Sequence, residues 1–491
     1  MKDIVLLLPI IIPVMMGLFL LFMKPPKEHR TLLFITAAGL LATAGLVGYV
    51  LSMGNVSCTL FYLTDTLPIY FQVDEISRLF VSVVTVIWLC SGIYAFEYMK
   101  HEENNKRYFG FYLLVYGILV GLDFSGNLVT FYMFYEMMTL LSVPLVFHNR
   151  SHEAIMAGLK YLFYSFCGAY MVLFGIYFIY RYGNTLTFTA GGVFDPAVLD
   201  RYQGLFLIVA FLMLLGFGVK AGMFPLHAWL PTAHPVAPAP ASAALSGIIV
   251  KGGILGIVRV VFYIFGVGFL RGSWVQTVWM ILALLTVFMG SMLAFLEKGF
   301  KKRLAYSTVS QLSYILFGLS VLEPGAATGA LLHVVFHAVI KCTLFLCTGA
   351  VIYQTGKTRI DELKGIGKQM PVTIWCYTFV SLALIGIPPT SGFVSKWYLA
   401  TGALRSGTGI FSWLGPVVLL ISALLTAGYL LPVTVKGFLP GDDFDYEALE
   451  KKEAGRPMLV PILCLTVLAV GLGLFPNALA QYIAAALSQM M

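Results

Sequence analysis

Charge is what this sequence lacks. Lys, Arg, Asp and Glu make up 11% of its 491 residues and apolar types 59%, whereas soluble domains carry roughly 25% charge. That balance excludes an ordinary soluble enzyme. Cysteine is also thin: the seven (58, 90, 167, 342, 347, 376 and 464) are scattered through apolar stretches without CxxC spacing, which argues against an iron–sulfur or zinc site. There is no glycine loop followed by Lys-Ser/Thr, no HExxH pair and no convincing serine nucleophile. Phosphoryl transfer, zinc hydrolysis and acyl transfer therefore have no motif to rest on.

Hydrophobic runs are what is abundant. Stretches near the roughly 20 residues that a bilayer requires recur at 4–23, 31–53, 74–96, 108–124, 127–148, 154–180, 204–224, 240–266, 274–296, 304–321, 328–353, 371–402, 410–438 and 457–487. They predict an all-α polytopic membrane protein of about 14 helices. The first run has no small-residue cleavage site before the next span, so it reads as a retained helix. The net charge of +8 points to no nucleic acid, because the cations alternate in position. Nineteen of the 31 Lys and Arg fall in every second connection, among them Lys27, and only five lie at the N-terminus or in the other loops. By the positive-inside rule both termini face out of a cell (inner) membrane.

Seven cations remain within the spans: Arg78, Lys160, Lys220, Lys251, Arg259, Lys341 and Lys396. A cation in hydrocarbon costs between ~2.5 and more than ~10 kcal/mol, so each needs a partner or a water path. Arg78 follows Glu75 by three residues and Asp74 by four, which predicts an interfacial ion pair. Glu136 sits near the middle of the fifth span, where a carboxylate must be protonated or paired. Lys160 either snorkels to the inner surface or pairs with Glu136. Asp123, at the end of its span, is expected at the surface or in a loop hydrogen bond.

Residues 216–260 concentrate these features. Lys220 precedes Gly222 and prolines 225, 231, 235, 238 and 240, so its helix must break, and backbone freed at membrane depth is tolerated only inside protein or along a cavity. A second interruption, LIGIPPTSGFVSKW at 384–397, carries Lys396. Two broken spans five helices apart suggest an inverted repeat of spans 4–8 against 9–13. Between them His333, His337 and Lys341 follow i, i+4, i+8 spacing, within about 80° of one another on a helix. Histidine exchanges protons near neutrality, so this face is a candidate proton ladder. The rival, a haem-ligating pair, lacks a second helix with matching histidines. Burial disfavours the charged form of a lysine and a nearby carboxylate favours it, each by up to several pKa units. A Glu–Lys pair feeding such a ladder is thus able to move protons.

The stretches FYEMMTLLS, GVKAGMFPLHAWLPTAHPVAPAPASAALSGIIVKGG, KRLAYSTVSQLSYI, HVVFHAVIKCTLFL and DELKGIGKQMP resemble the antiporter-like subunits shared by respiratory complex I, membrane-bound hydrogenases and multisubunit Na⁺/H⁺ antiporters. The resemblance covers roughly residues 108–435. It implies a 14-helix core with two inverted five-helix repeats and broken helices 7 and 12, hence units 1–107, 108–266, 267–438 and 439–491. It also implies that Glu136 and Lys220 form the controlling pair, that Lys251 is the central connecting residue, that His333, His337 and Lys341 form the internal chain, and that Lys396 is the exit. A lysine at the exit is similar to the N or L types or to D-type antiporter subunits, and the chain stops soon after the last span, without the long lateral helix of L-type chains. The expectation is a proton-translocating subunit, with Na⁺ as the alternative ion, no cofactor of its own, and other membrane subunits and the lipid bilayer as partners. The competing expectation is a redox subunit with its own haem or quinone site.

Overall fold

The computed structural model describes residues 2–24, 29–441, 445 and 450–491; Lys27, counted above among the loop cations, lies outside them. Among the described residues ten helices are long and apolar enough to cross a bilayer, and the one sheet is a two-stranded hairpin. The protein is an all-α membrane protein. The first half contains α1 (Leu8–Phe22), α2 (His29–Ser52), the hairpin β1 (Ser57–Thr64) and β2 (Leu67–Gln72), α3 (Glu75–Tyr98), α4 (Asn105–Asp123), α5 (Leu128–Val146) and α6 (His152–Tyr182). Next come α7 (Gln203–Lys220), α8 (Leu230–Val236) and α9 (Ala239–Phe265). The second half contains α10 (Trp274–Leu296), α11 (Phe300–Ser320), α12 (Pro324–Thr355), α13 (Pro371–Ile385), α14 (Ser391–Arg405), α15 (Phe411–Phe438), α16 (Arg456–Leu474) and α17 (Asn477–Ser488).

Polar side chains set where several helices begin. Asp74, Asn127, Ser151 and Ser273 each precede a helix and accept a backbone N–H from its first turn, as N-caps do. In the middle, α9 and α12 are enclosed over their whole apolar length. The surrounding helices turn apolar side chains outward, with Phe34, Phe163, Tyr170 and Leu420 all exposed. Small residues let the inner helices touch. A Cβ on Gly253 of α9 would lie 2.5 Å from the Phe217 carbonyl of α7, the close approach that membrane helices use in place of a hydrophobic drive.

Helix α7 ends at Lys220, and the chain turns at Gly222 with φ of +70°. The freed polar groups find partners nearby. Trp229 Nε1 donates to the Val219 carbonyl at 2.9 Å, Ser242 to the His234 carbonyl at 2.9 Å, and Lys301 to the Ala237 carbonyl at 2.9 Å. The span expected at 371–402 is likewise two half-helices, α13 and α14, parted at Gly386 with φ of +90°. Helix α9 contains two π-turns, Leu245–Ile249 and Val260–Phe265, a form that recurs at functional positions.

One expected span divides, one connection is folded, and one ion pair forms with a single partner. The stretch 457–487 is two helices, α16 and α17, because Pro476 cannot continue a helix begun before it. The connection 53–73 folds into the hairpin, which pairs on through Gln72 N–H to the Phe124 carbonyl at 2.7 Å. Arg78 forms the expected interfacial pair with Glu75 and not with Asp74. It reaches Glu75 at 3.8 Å and donates to the Leu51 carbonyl and Asn55, while both Asp74 oxygens are taken by Arg259.

That last pair ties α9 to the cap of α3. Arg259 is 1% exposed, donates also to Ser77 Oγ at 3.0 Å, and lies over the rings of Phe188 and Tyr263. Removing one member of a buried pair costs about 3–5 kcal/mol, whereas replacing both by apolar or neutral groups is often close to neutral. Arg259→Met alone should therefore lower the unfolding temperature in detergent, and Asp74→Asn/Arg259→Met should recover much of the loss. A double variant as unstable as the single would contradict this account.

Candidate functional site: a line of buried lysines and histidines

Lys220 is the last residue of α7 and is fully buried. Its ammonium donates to Thr139 Oγ1 at 2.7 Å, the Tyr161 hydroxyl at 2.9 Å and Ser165 Oγ at 3.0 Å, which uses all three of its hydrogens. The Tyr161 ring lies 4.4 Å from Nζ and stacks on Trp229 of the break. The negative end of a half-helix favours a cation at this place. No carboxylate takes part. The Glu136–Lys220 pair expected from the sequence interacts through charge without a direct bond, since Thr139, one turn along α5, occupies the contact. Glu136 is half-buried with Oε1 unpartnered, and Leu140, one turn further on its face, is exposed.

Lys251, on the wholly buried α9, donates to the Ser246 carbonyl at 3.0 Å, inside the first π-turn, and lies 3.0 Å from His337 Nδ1. This is the one direct bond among the predicted site residues. One turn on, the His333 ring stacks beside His337 with centroids 5.8 Å apart. Its two nitrogens meet Ser395 Oγ at 2.9 Å and Gln311 Oε1 at 3.1 Å, so neither is turned toward an axial site on a haem iron. Tyr314 continues the line. Its ring stacks on His333 at 5.7 Å and carries Lys396 Nζ 5.0 Å from its centroid. Lys396 is anchored by the carbonyls of Leu384 and Ile385, at 2.6 and 2.9 Å, the last turn of α13.

The other candidates separate. Lys341 shares the α12 face but donates to the Leu304 carbonyl at 3.1 Å, away from the histidine contacts. Lys160 lines a groove of about 700 Å³ with Glu153, Pro231, Pro235 and Lys302, which favours the snorkelling alternative over a bond to Glu136. Arg259 is committed to Asp74. Asp123 is neither exposed nor loop-bonded as expected. It is 3% exposed and its Oδ2 has no partner, because the hairpin covers the end of α4. His234, which the sequence reading does not single out, is fully buried in α8 against Phe345, with both ring nitrogens unpartnered. Its place in HAWLPTAHPVAP was the signal available.

What the arrangement can do is exchange protons. Lysine, histidine, serine and tyrosine both give and take hydrogen bonds as protons move, and they form two groups: the Lys220 cradle on α5, α6 and α7, and a run from Lys251 on α9 along α12 to Lys396 on α14. The Lys220 cradle makes this testable. Tyr161→Phe keeps the stack on Trp229 and removes one acceptor, an unsatisfied-donor penalty of about 1–3 kcal/mol. Proton flux in vesicles should fall by roughly an order of magnitude or more at unchanged assembly, and unchanged flux would remove the cradle from the pathway.

Comparison with known proteins gives the family. Residues 125–426 match the family described as NADH:quinone oxidoreductase/Mrp antiporter, TM, and residues 63–109 match NADH-Ubiquinone oxidoreductase (complex I), chain 5 N-terminus. The chain is 32% identical to the N-type subunit of the NADH-quinone oxidoreductase of Desulforudis audaxviator over 82% of its own length and 81% of the relative's. It is 28% identical to the D-type subunit of the Na(+)/H(+) antiporter of Alkalihalophilus pseudofirmus over 97% and 95%. Its fold is similar to a chain of the Mrp complex from Dietzia sp. DQ12-45-1b, with a TM-score of 0.83 at 23% identity over 99% of this chain and 97% of that one. The family match spans more than half of the sequence and includes every member of the lysine–histidine line: this chain belongs to the NADH:quinone oxidoreductase/Mrp antiporter transmembrane family.

Proposed function

We propose that this chain is a proton-translocating membrane subunit of a multisubunit complex of the complex I, hydrogenase or cation/proton antiporter kind. The observation that carries this reading is the bond from Lys251 to His337 at the centre of two wholly buried helices. A buried cation bound to a neutral histidine is costly as a structural device and useful as a relay. The path runs from Lys220 to Lys251, then along His337 and His333 to Lys396, with Tyr314 and Ser395 as the contacts of the last step. Lys341 serves as a side store on the α12 face. Glu136 acts on Lys220 from the lateral face, where a neighbouring subunit changes its surroundings. Protons, or Na⁺ exchanged for them, are the cargo, and this chain carries no cofactor.

The finer architecture belongs to the same proposal. Four spans beyond the ten, formed by α1, α4, α11 and the α13–α14 pair, occupy expected positions, which supports a count of 14. The two helix breaks, each with one buried lysine, support two inverted repeats, within 108–266 and 267–438, between an N-terminal unit 1–107 and a C-terminal unit 439–491. The basic connections Lys100–Arg107 and Lys298–Arg303 support termini on the outer side of the cell membrane.

Lys220→Ala and Glu136→Ala should each abolish coupled pumping in reconstituted vesicles while the complex still assembles. Normal pumping by well-assembled Lys220→Ala complex would end this reading. At the other end of the path, Lys396→Glu should retain more transport than Lys396→Leu, because the exit needs a group that binds and releases a proton. Equal rates for the two would count against the exit role.

A further inference from the structure

Asp123 is a buried titratable group off the path that shares a cavity with a member of it. Asp123 closes α4 beneath the hairpin, 3% exposed. It caps no helix and forms no ion pair: the nearby guanidinium of Arg259 is committed to Asp74 and Ser77, and Asp123 Oδ2 is buried without a partner. An unpaired carboxyl in such surroundings costs several kcal/mol and calls for a reason other than stability. The same residue lines a small cavity with Lys251 and Gly252, among apolar side chains that include Phe80, Leu122 and Val334. The cavity measures about 10 Å³, at the lower edge of the roughly 10–15 Å³ that one water molecule needs. Lys251 has a hydrogen to spare. Two of its three are directed at Ser246 and His337, and no protein acceptor takes the third.

We infer that Asp123 is a second proton acceptor for Lys251, so that the path branches at the middle of the membrane domain. One arm follows His337 and His333 to Lys396; the other passes from Lys251 to Asp123 and on toward the hairpin side. The step breaks an N–H bond of the Lys251 ammonium and forms an O–H bond on the Asp123 carboxylate, through a single water in the shared cavity, leaving a neutral amine and a neutral acid. The acid then gives its proton to water on the hairpin side, where α4 ends one residue from the bond between Phe124 and Gln72. The neutral pair is the state in which an unpartnered carboxyl is least costly in this place.

The inference rests on the proposed path through Lys220 and Lys251, and the experiment separates the two. Proton flux is measured in vesicles carrying the whole complex, with Lys220→Ala defining zero transport through this chain. Lys396→Leu should keep a residual flux, Asp123→Asn/Lys396→Leu should fall to the Lys220→Ala level, and Asp123→Glu/Lys396→Leu should regain the residual. The Asp123→Asn complex should melt no lower than the wild type, since an unpaired carboxyl is what it removes. An infrared carbonyl band that responds to transport should disappear in Asp123→Asn and stay fixed in Lys251→Met. The branch is overturned if Lys396→Leu alone is already at the Lys220→Ala level, if Asp123→Asn leaves the residual untouched, or if it acts only by lowering the melting temperature. Normal transport by Lys220→Ala would instead overturn the path itself.

Discussion

The structure depends on keeping ammonium groups inside a membrane protein without giving each a carboxylate. An isolated buried cation is among the most expensive groups a fold can contain, and here the cost is met by neutral oxygens. Lys220 has three hydroxyls, Lys251 a π-turn carbonyl and a histidine, Lys341 a helix carbonyl, and Lys396 two carbonyls at the end of a half-helix. Such oxygens favour the cation without committing it, because they also tolerate the amine. Three of the seven, the carbonyls of Ser246, Leu384 and Ile385, are available because a helix is rewound or ends beside the lysine. Broken helices and buried lysines are thus one device.

Arg259 shows the other way of burying charge. Its guanidinium is bound by both oxygens of Asp74 and by Ser77, and arginine keeps its proton under all ordinary conditions. That makes it a fastener. The two breaks also differ in design: Lys220 belongs to the upstream half-helix and turns to helices α5 and α6, whereas Lys396 belongs to the downstream half and reaches back to the carbonyls of the upstream one.

Much of this is legible in the sequence wherever the cost of a residue is high. A lysine followed by five prolines in a hydrophobic run has few bland explanations, and the i, i+4 histidines place themselves on one face. What the sequence does not disclose is which partners answer those costs. Thr139, Tyr161 and Ser165 stand 81, 59 and 55 residues before Lys220, and hydroxyls are too common along the chain for any to stand out. Local spacing assigns Asp74 to Arg78, while its partner lies 185 residues away. The hairpin at 57–72 is hidden because its strands carry apolar side chains on both faces, which blurs the alternation by which strands are read. Asp123 reads as a surface residue because nothing near it in the chain announces the element that covers it.

The backbone contact at Gly253 has a consequence for timing. Helices α7 and α9 meet there with no side chain between them, and α6 meets α7 in the same way at Gly168 and Gly216. The spacing between the anchor points of Lys220 and Lys251 is therefore set by peptide units and not by packing that can loosen. Helix displacements take microseconds to milliseconds, side-chain swings picoseconds to nanoseconds. With the scaffold clamped, the hop proposed between these two lysines is left to the faster class of motion. On that proposal the clock of the molecule is kept at its rim, where Glu136 is half-buried.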